Sequence, residues 1–327
     1  MLIKIHEGHL GINKCKSRAR VCLFWPGMSK DICKFIGRCD ICNQVSRNQT
    51  KQPLLHHDLP SKPWEKLGMD IFEFKGNLFL VVVDYYSKWI DFRQIKNKAI
   101  NDVIKYLMEL FSMFGFPDTI ISDNNPFNSF MFKTFTEEHN IKLIHSSPNF
   151  PRSNGMAEKA VNNAKTLLKK CALEGGDINM FLLKYRNSPT NIGLSPAQLF
   201  LNRRLKDSLP SRSSLLKPVV INNDEYRQRS VKQQLLQKHY YDSGSKSLSD
   251  GVAGDDIYFK SKNWKRGKIV SKCQEPRSYI VSDDNDRLYR RNREHIIVKS
   301  DEEESPQTKR YDLRDRDRIQ KPCKFPN

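Results

Sequence analysis

The sequence predicts a multidomain chain with an α/β layer on a mixed five-stranded sheet at its centre. Three observations carry this. Histidine and cysteine crowd residues 1–48. In residues 63–201 the apolar positions switch between period two and period 3.6. Residues 251–299 are short alternating runs broken by turns, which predicts a small all-β unit. The 327 residues suggest about two domains at ~150 residues each. A hydrophobic share of 38% excludes wholesale disorder. The longest aliphatic or aromatic run, Leu78 to Val83, falls far short of the ~20 residues of a membrane helix. Met1 to His6 is too short and polar for a signal peptide. The eight cysteines are therefore expected as thiols or metal ligands.

In order, residues 1–48 form the His/Cys segment, with His6, His9, Cys15, Cys22, Cys33, Cys39 and Cys42. Residues 49–62 are polar with prolines and read as a linker. In 63–201, Leu67–Phe74 and Leu78–Asp84 read as neighbouring strands joined at Lys75-Gly76-Asn77, and Trp89–Ile95 as a third. Val103, Leu107, Leu110, Phe111 and Phe114 recur at helical spacing, and Gly115-Phe116-Pro117 stops that helix. Thr119–Ser122 is a short buried strand ending at Asp123. A helix with Phe130, Phe132 and Phe135 leads to strand Ile141–Ile144, and Gly155–Leu173 is helical. Residues 202–250 are a charged, partly helical connector. Residues 300–327 read as a disordered tail. That tail holds seven acids and seven bases, so the formal charge of +19 rests in residues 1–299. A region this basic favours polyanions, DNA or RNA first; a solubilising surface and an acidic membrane stay open on composition alone.

His6-x2-His9 and Cys39-x2-Cys42 make a two-His, two-Cys set framing Phe24-Trp25-Pro26-Gly27-Met28. Closely spaced donor pairs of this kind suit tetrahedral Zn²⁺; the alternative is four unrelated residues in a reduced protein. Cys15, Cys22 and Cys33 read as core fillers. Asp70 lies within the first strand, Asp123 ends the fourth, and Glu158 sits near the start of the long helix. Adjacent strands and a facing helix can gather three carboxylates, the oxygen donors that Mg²⁺ requires. Asn162, Lys165 and Lys169 follow Glu158 at +4, +7 and +11, on its face of the helix, where they could hold a DNA backbone or be a solvated face. Trp264, Lys265, Arg266, Lys268, Arg290, Arg291 and Arg293 mix an aromatic with bases, a composition suited to phosphates.

These stretches together resemble a retroelement integrase, of the Ty3/gypsy long-terminal-repeat type. The similarity runs through His6-Glu-Gly-His-Leu-Gly11, Phe24-Trp-Pro-Gly-Met28, Cys39-Asp-Ile-Cys42, Trp64-Glu-Lys-Leu-Gly-Met-Asp70, Val83-Asp-Tyr-Tyr-Ser87 and Ile121-Ser-Asp-Asn124. It continues through Ser146-Ser-Pro148, Ser153-Asn-Gly155, Ala157-Glu158, Tyr185-Arg-Asn187, Gly193-Leu-Ser-Pro196, Pro276-Arg-Ser-Tyr279 and Tyr289-Arg-Arg-Asn-Arg293. The resemblance implies a helical zinc domain held by His6, His9, Cys39 and Cys42, and an RNase H-like core. It implies a small SH3-like or chromo-like DNA-binding barrel over 251–299. It also implies that Asp70, Asp123 and Glu158 bind catalytic Mg²⁺ or Mn²⁺ for DNA 3′-end processing and strand transfer. Lys159 lies where the family carries a base near the DNA end, and Asn154 where it shapes the active-site loop. DNA, a homo-oligomer and, from the DNA substrate, the nucleus follow as expectations. After Asp123 the chain reads Asn124-Asn125-Pro126-Phe127, with Asn125 for the usual glycine and one residue missing. That departure motivates the alternative of an inactive, domesticated zinc- and DNA-binding descendant. A simple RNase H-type nuclease is argued against by the His/Cys domain and the basic barrel.

Overall fold

In the computed structural model the described residues are 1–45, 49–146, 155–261 and 263–298. The chain begins with four helices, α1 (Leu2–His6), α2 (Ile12–Cys22), α3 (Met28–Gly37) and α4 (Asp40–Gln44). Their core is small: Ile5, Cys15, Ala19, Met28, Ile32 and Ile36. Among the cysteines expected as fillers, Cys15 is fully buried, Cys33 only partly so, and Cys22 is exposed on the outer end of α2.

The central unit is a mixed sheet, β1 (Lys66–Phe74), β2 (Asn77–Asp84), β3 (Ile90–Ile95), β4 (Thr119–Ser122) and β5 (Lys142–His145), in spatial order β3-β2-β1-β4-β5. The first three strands form an antiparallel meander; β4 joins β1 in parallel, and β5 joins β4 in parallel. Lys75 and Gly76 both take positive φ, as a two-residue hairpin demands. Helix α5 (Ile100–Phe114) buries Val103, Tyr106, Leu107, Leu110 and Phe111 against one face and ends at Gly115, φ 84°. Helix α6 (Phe130–Glu138) is capped by Ser129, which accepts from the Phe132 amide. Both pack into a core with Leu67, Met69, Leu80, Val82 and Ile120.

The other face takes α7 (Gly155–Glu174), whose small residues Ala157, Ala160 and Ala164 face Phe72, Val81 and Val83. The approach is close. A Cβ on Gly68 of β1 would stand 3.1 Å from the Tyr85 ring and 3.5 Å from Ala157. Then come α8 (Ile178–Asn187), α9 (Pro196–Leu201) and α10 (Asn223–Asp242). The Ser195/Gln198 capping box and Pro196 start α9.

The last unit is an antiparallel five-stranded sheet of β6 (Asp256–Lys260), β7 (Trp264–Lys272), β8 (Ser278–Asp283), β9 (Leu288–Asn292) and β10 (Ile296–Val298), ordered β10-β6-β7-β8-β9. It curls around Ile257, Phe259, Ile269, Tyr279, Val281 and Ile296. The sequence predicts a barrel; the sheet is not closed, because three-residue β10 pairs only with β6. A register shift between Ile269 and Ser271 bends β7.

The segment read as a linker is stapled along α10. Lys51 Nζ donates to the Tyr241 carbonyl at 2.6 Å, the Leu54 amide to Asp242 Oδ1 at 2.7 Å, and Lys238 Nζ to the Leu54 carbonyl at 2.7 Å. No helix among the described residues is long and apolar enough to cross a membrane.

Candidate metal centres and nucleic-acid face

His6 is the last residue of α1, and His9 follows in the left-handed region at φ 48°. Cys39 caps α4 and Cys42 lies in its first turn, so the short helix aims both thiols one way. The four ligand atoms lie within 4.8 Å of one another. His6 Nε2 is 3.3 Å from Cys42 Sγ, and His9 Nδ1 is 3.4 Å from Cys39 Sγ and 3.7 Å from Cys42 Sγ. A tetrahedral Zn²⁺ with Zn–N of ~2.05 Å and Zn–S of ~2.3 Å requires N···S edges of about 3.6 Å. The donor set thus fits zinc in chemistry and in size. Burial first, then the hydrogen bond and charge of Cys39 and the charge of Cys15, push the Cys42 thiol up to about 11. Behind the site, the buried Cys15 Sγ sits 3.9 Å from His6 Nδ1 and holds the Leu10 carbonyl at 3.1 Å. The structural metal of this domain is zinc.

The second constellation grows from the parallel β1–β4 pairing. Met69 is in register with Ser122, which sets Asp70 and Asp123 side by side where β4 ends. Glu158 comes from the first turn of α7, packed over the same strands. Burial first, then Asp123, then Glu158, raise the Asp70 carboxyl to about 6, while the Ile71 amide and Lys165 act against them. Each carboxylate is therefore felt by Asp70, but only the His/Cys set is drawn to ligand spacing among the described residues. Three oxygen donors whose repulsion a divalent cation would relieve suit Mg²⁺ or Mn²⁺.

Ser146 carried no role in the sequence reading. Its Oγ donates to Asp123 Oδ1 at 2.7 Å, and its amide donates to the Ser122 carbonyl at 3.0 Å. Asn124 Nδ2 donates to the Ser146 carbonyl at 3.1 Å, and Phe127 is fully buried in the core. The shortened segment after Asp123 thus still closes on the sheet.

The candidate DNA contacts separate by burial. Asn162, Lys169 and Lys159 are exposed on α7; Lys165 is partly buried, its Nζ 5.7 Å from the Phe72 ring centre and close enough to act on Asp70. Asn154 lies outside the described residues. On β7, Lys265, Arg266 and Lys268 are exposed. The other members of that set are already committed to the protein. Trp264 is 5% exposed. Arg291 donates to the Lys260 carbonyl, and Arg293 to the Ser249 and Ile296 carbonyls. Arg290 pairs with Glu275 at 3.2 Å and donates to the His145 carbonyl at 3.2 Å, beside Ser146. Alternation along the strands separates outward Lys265 from inward Trp264, but nothing in the local sequence marks Arg291 and Arg293 as inward.

Known proteins resemble this chain. Residues 1–48 match the integrase zinc binding domain. An uncharacterized protein of Caenorhabditis elegans is 31% identical over 292 residues, 83% of this chain and 22% of that protein. The retrovirus-related Pol polyprotein from transposon 297 of Drosophila melanogaster is 26% identical over 62% of this chain and 20% of its own length. The chain thus spans about a fifth of these relatives. Among solved structures, the simian T-cell lymphotropic virus intasome in complex with PP2A regulatory subunit B56 gamma shares the fold, with a TM-score of 0.59. It is 17% identical, covering 91% of this chain and 98% of that one. With its zinc-binding head, its mixed-sheet core and its Pol relatives, the chain is similar to the integrases of retroelements.

Proposed function

We propose that the chain is a Ty3/gypsy-type integrase: a polynucleotidyl transferase that trims a DNA 3′ end and joins it to target DNA. The observation that supports this is that Asp123 and Glu158, from two other elements, both lie near enough to raise the Asp70 carboxyl. The domain limits are those of the sequence reading, with the zinc-binding head before the core and the β6–β10 unit after it. Asp70, Asp123 and Glu158 hold Mg²⁺ or Mn²⁺, which when bound offsets charge on the attacking and leaving oxygens. Around them, the chain's own residues orient and position. Ser146 fixes Asp123 by donating to Oδ1, leaving the other oxygen for the ion. Lys165 supplies a nearby positive charge. Asn162 and Lys169 hold phosphates along α7, Lys159 lies near the DNA end, and Lys265, Arg266 and Lys268 hold phosphates along β7. The reaction needs no covalent protein nucleophile. DNA is the partner, self-association builds the working assembly, and the nucleus is its place of action.

The test is strand joining on a branched DNA, the reverse of integration, with Mg²⁺ or Mn²⁺. Joining by the wild type and its loss in Glu158→Gln is the expected result. Silence of folded, zinc-loaded wild type overturns the reading in favour of a DNA-binding descendant without catalysis.

A further inference from the structure

Between the core and the strap of residues 54–60 lies a cavity of about 470 Å³. That size suits a small organic ligand. Tyr85 and Lys88 form its floor at the β2–β3 turn, Lys159 and Asn163 come from α7, and Gln233 and Gln237 from α10. Lys159 stands about 100° around the helix from Glu158, so this is a different face from that of the carboxylates.

The cavity is electropositive and aromatic. Lys88 is partly buried, and its Nζ donates to the Tyr85 carbonyl at 2.5 Å. Burial, with a further push from Lys159, pulls its ammonium down to about 8, against the attraction of Asp84. An anion between the two lysines would favour both charges. The Tyr85 side chain is 4% exposed, and its hydroxyl has no hydrogen-bond partner among the described residues. The His57 ring lies 5.4 Å from it, edge-on. Asn163 and Tyr185 are joined at 3.3 Å across one wall. Of the other titratable groups in the lining, His56 is bonded to the Gln234 carbonyl at 2.9 Å, and Asp58 sits on the strap. Two lysines of one lining, a phenol without a hydrogen-bond partner among the described residues, flat rings and amide side chains match an anion carrying a planar, polar-edged ring.

We propose that this cavity is a nucleotide site: Lys88 and Lys159 take the phosphate, and the aromatic and amide walls take the base. The nucleotide is either free or the unpaired end of a DNA strand. The proposal rests on the DNA-processing reading above, but its test reads binding and not joining.

Zinc-loaded full chain, without Mg²⁺, is titrated calorimetrically with a deoxynucleoside 5′-monophosphate, a 5′-phosphorylated trinucleotide and inorganic phosphate. Saturable nucleotide binding is expected, weakened about tenfold in Lys88→Gln and largely kept in Lys88→Arg. Tyr85→Phe is expected to weaken it several-fold, whereas a hydroxyl that is merely buried would leave it unchanged. Tighter binding of the trinucleotide identifies the strand end; equal affinities identify the free nucleotide. The proposal is overturned if the wild type binds no nucleotide. It is equally overturned if Lys88→Gln, shown folded by circular dichroism, binds like wild type, or if phosphate alone binds as tightly. Loss of strand joining with nucleotide binding intact would sink the catalytic reading and leave this site standing.

Discussion

Asp70 carries a pH signature whose sign is fixed by its neighbours. Its carboxyl is raised to about 6, above the ~3.9 of an unfolded chain. Below about pH 4 both states hold the proton and the group is neutral to stability. As pH rises from about 4 to 6, the unfolded chain releases its proton first, so stability falls through that window. Asp70→Asn removes this cost. Zinc-loaded, magnesium-free Asp70→Asn should melt several degrees above wild type at pH 7 and match it near pH 4, while losing strand joining altogether; thermal melts at the two pH values check this. Ser146→Ala leaves Asp123 in place but unheld. It should raise the Mn²⁺ concentration for half-maximal joining about tenfold while leaving the melting temperature within a few degrees, as a metal titration would show. These residues were unequally legible as candidates. Asp70, Asp123 and Glu158 stood out through their motifs, whereas Ser146 lies in a family motif whose link to Asp123 emerges only when β5 is laid beside β4. Asp84, also within a motif, is buried by four hydrogen bonds, from the Trp64, Tyr86 and Ser87 amides and the Ser87 hydroxyl.

At the scale of elements, the four N-terminal helices have too little core to stand without their metal. Six buried side chains cannot offset the ordering of more than forty residues, so zinc binding and folding of this head are coupled. Zinc chelation or Cys42→Ser should melt these helices while the mixed sheet persists. Trp25, in the head, would then lose its fixed environment before Trp64 and Trp89 in the core, so two separated transitions in fluorescence and far-ultraviolet circular dichroism are expected; a single shared transition would count against independent folding. The strands of the core were readable because β2 is a continuous apolar run and the Lys75-Gly76 turn is chemically explicit. The last unit was less so. Period-two alternation shows strands, but closure depends on the length of edge strands, and Ile296–Val298 is too short to bridge back to β9. The strapping of residues 51–56 to α10 was invisible in the sequence, since its bonds run mostly to carbonyls some 180 residues away.

Over the whole molecule, charge is distributed for a polyanion: +19 overall, with bases exposed on β7 and along α7. Removing one phosphate-binding side chain should flatten the salt dependence of DNA binding by about 0.9 in log–log slope. Replacing Lys265, Arg266 and Lys268 together with alanine should therefore reduce the slope by roughly 2–3, measured by fluorescence anisotropy across salt. Replacing Arg291 instead should destabilise the β6–β10 unit, because its guanidinium is spent on the Lys260 carbonyl. That the net charge favours a polyanion was legible from composition; which arginines are committed to the protein's own carbonyls was not.

The staples between residues 51–54 and α10 make the chain divisible. The covalent path from the core to α10 runs through residues 203–222, mostly exposed and with little regular structure beyond Ser213–Leu216. A cut there would sever the backbone and leave the bonds that join the pieces untouched: those of Lys51, Leu54 and Lys238, the Tyr86–Tyr226 ring pair at 4.4 Å, and Arg277 on the Pro53 carbonyl at 2.6 Å. The two fragments, made separately, should find each other and reassemble, so that the peptide bonds of this loop contribute connectivity and not architecture.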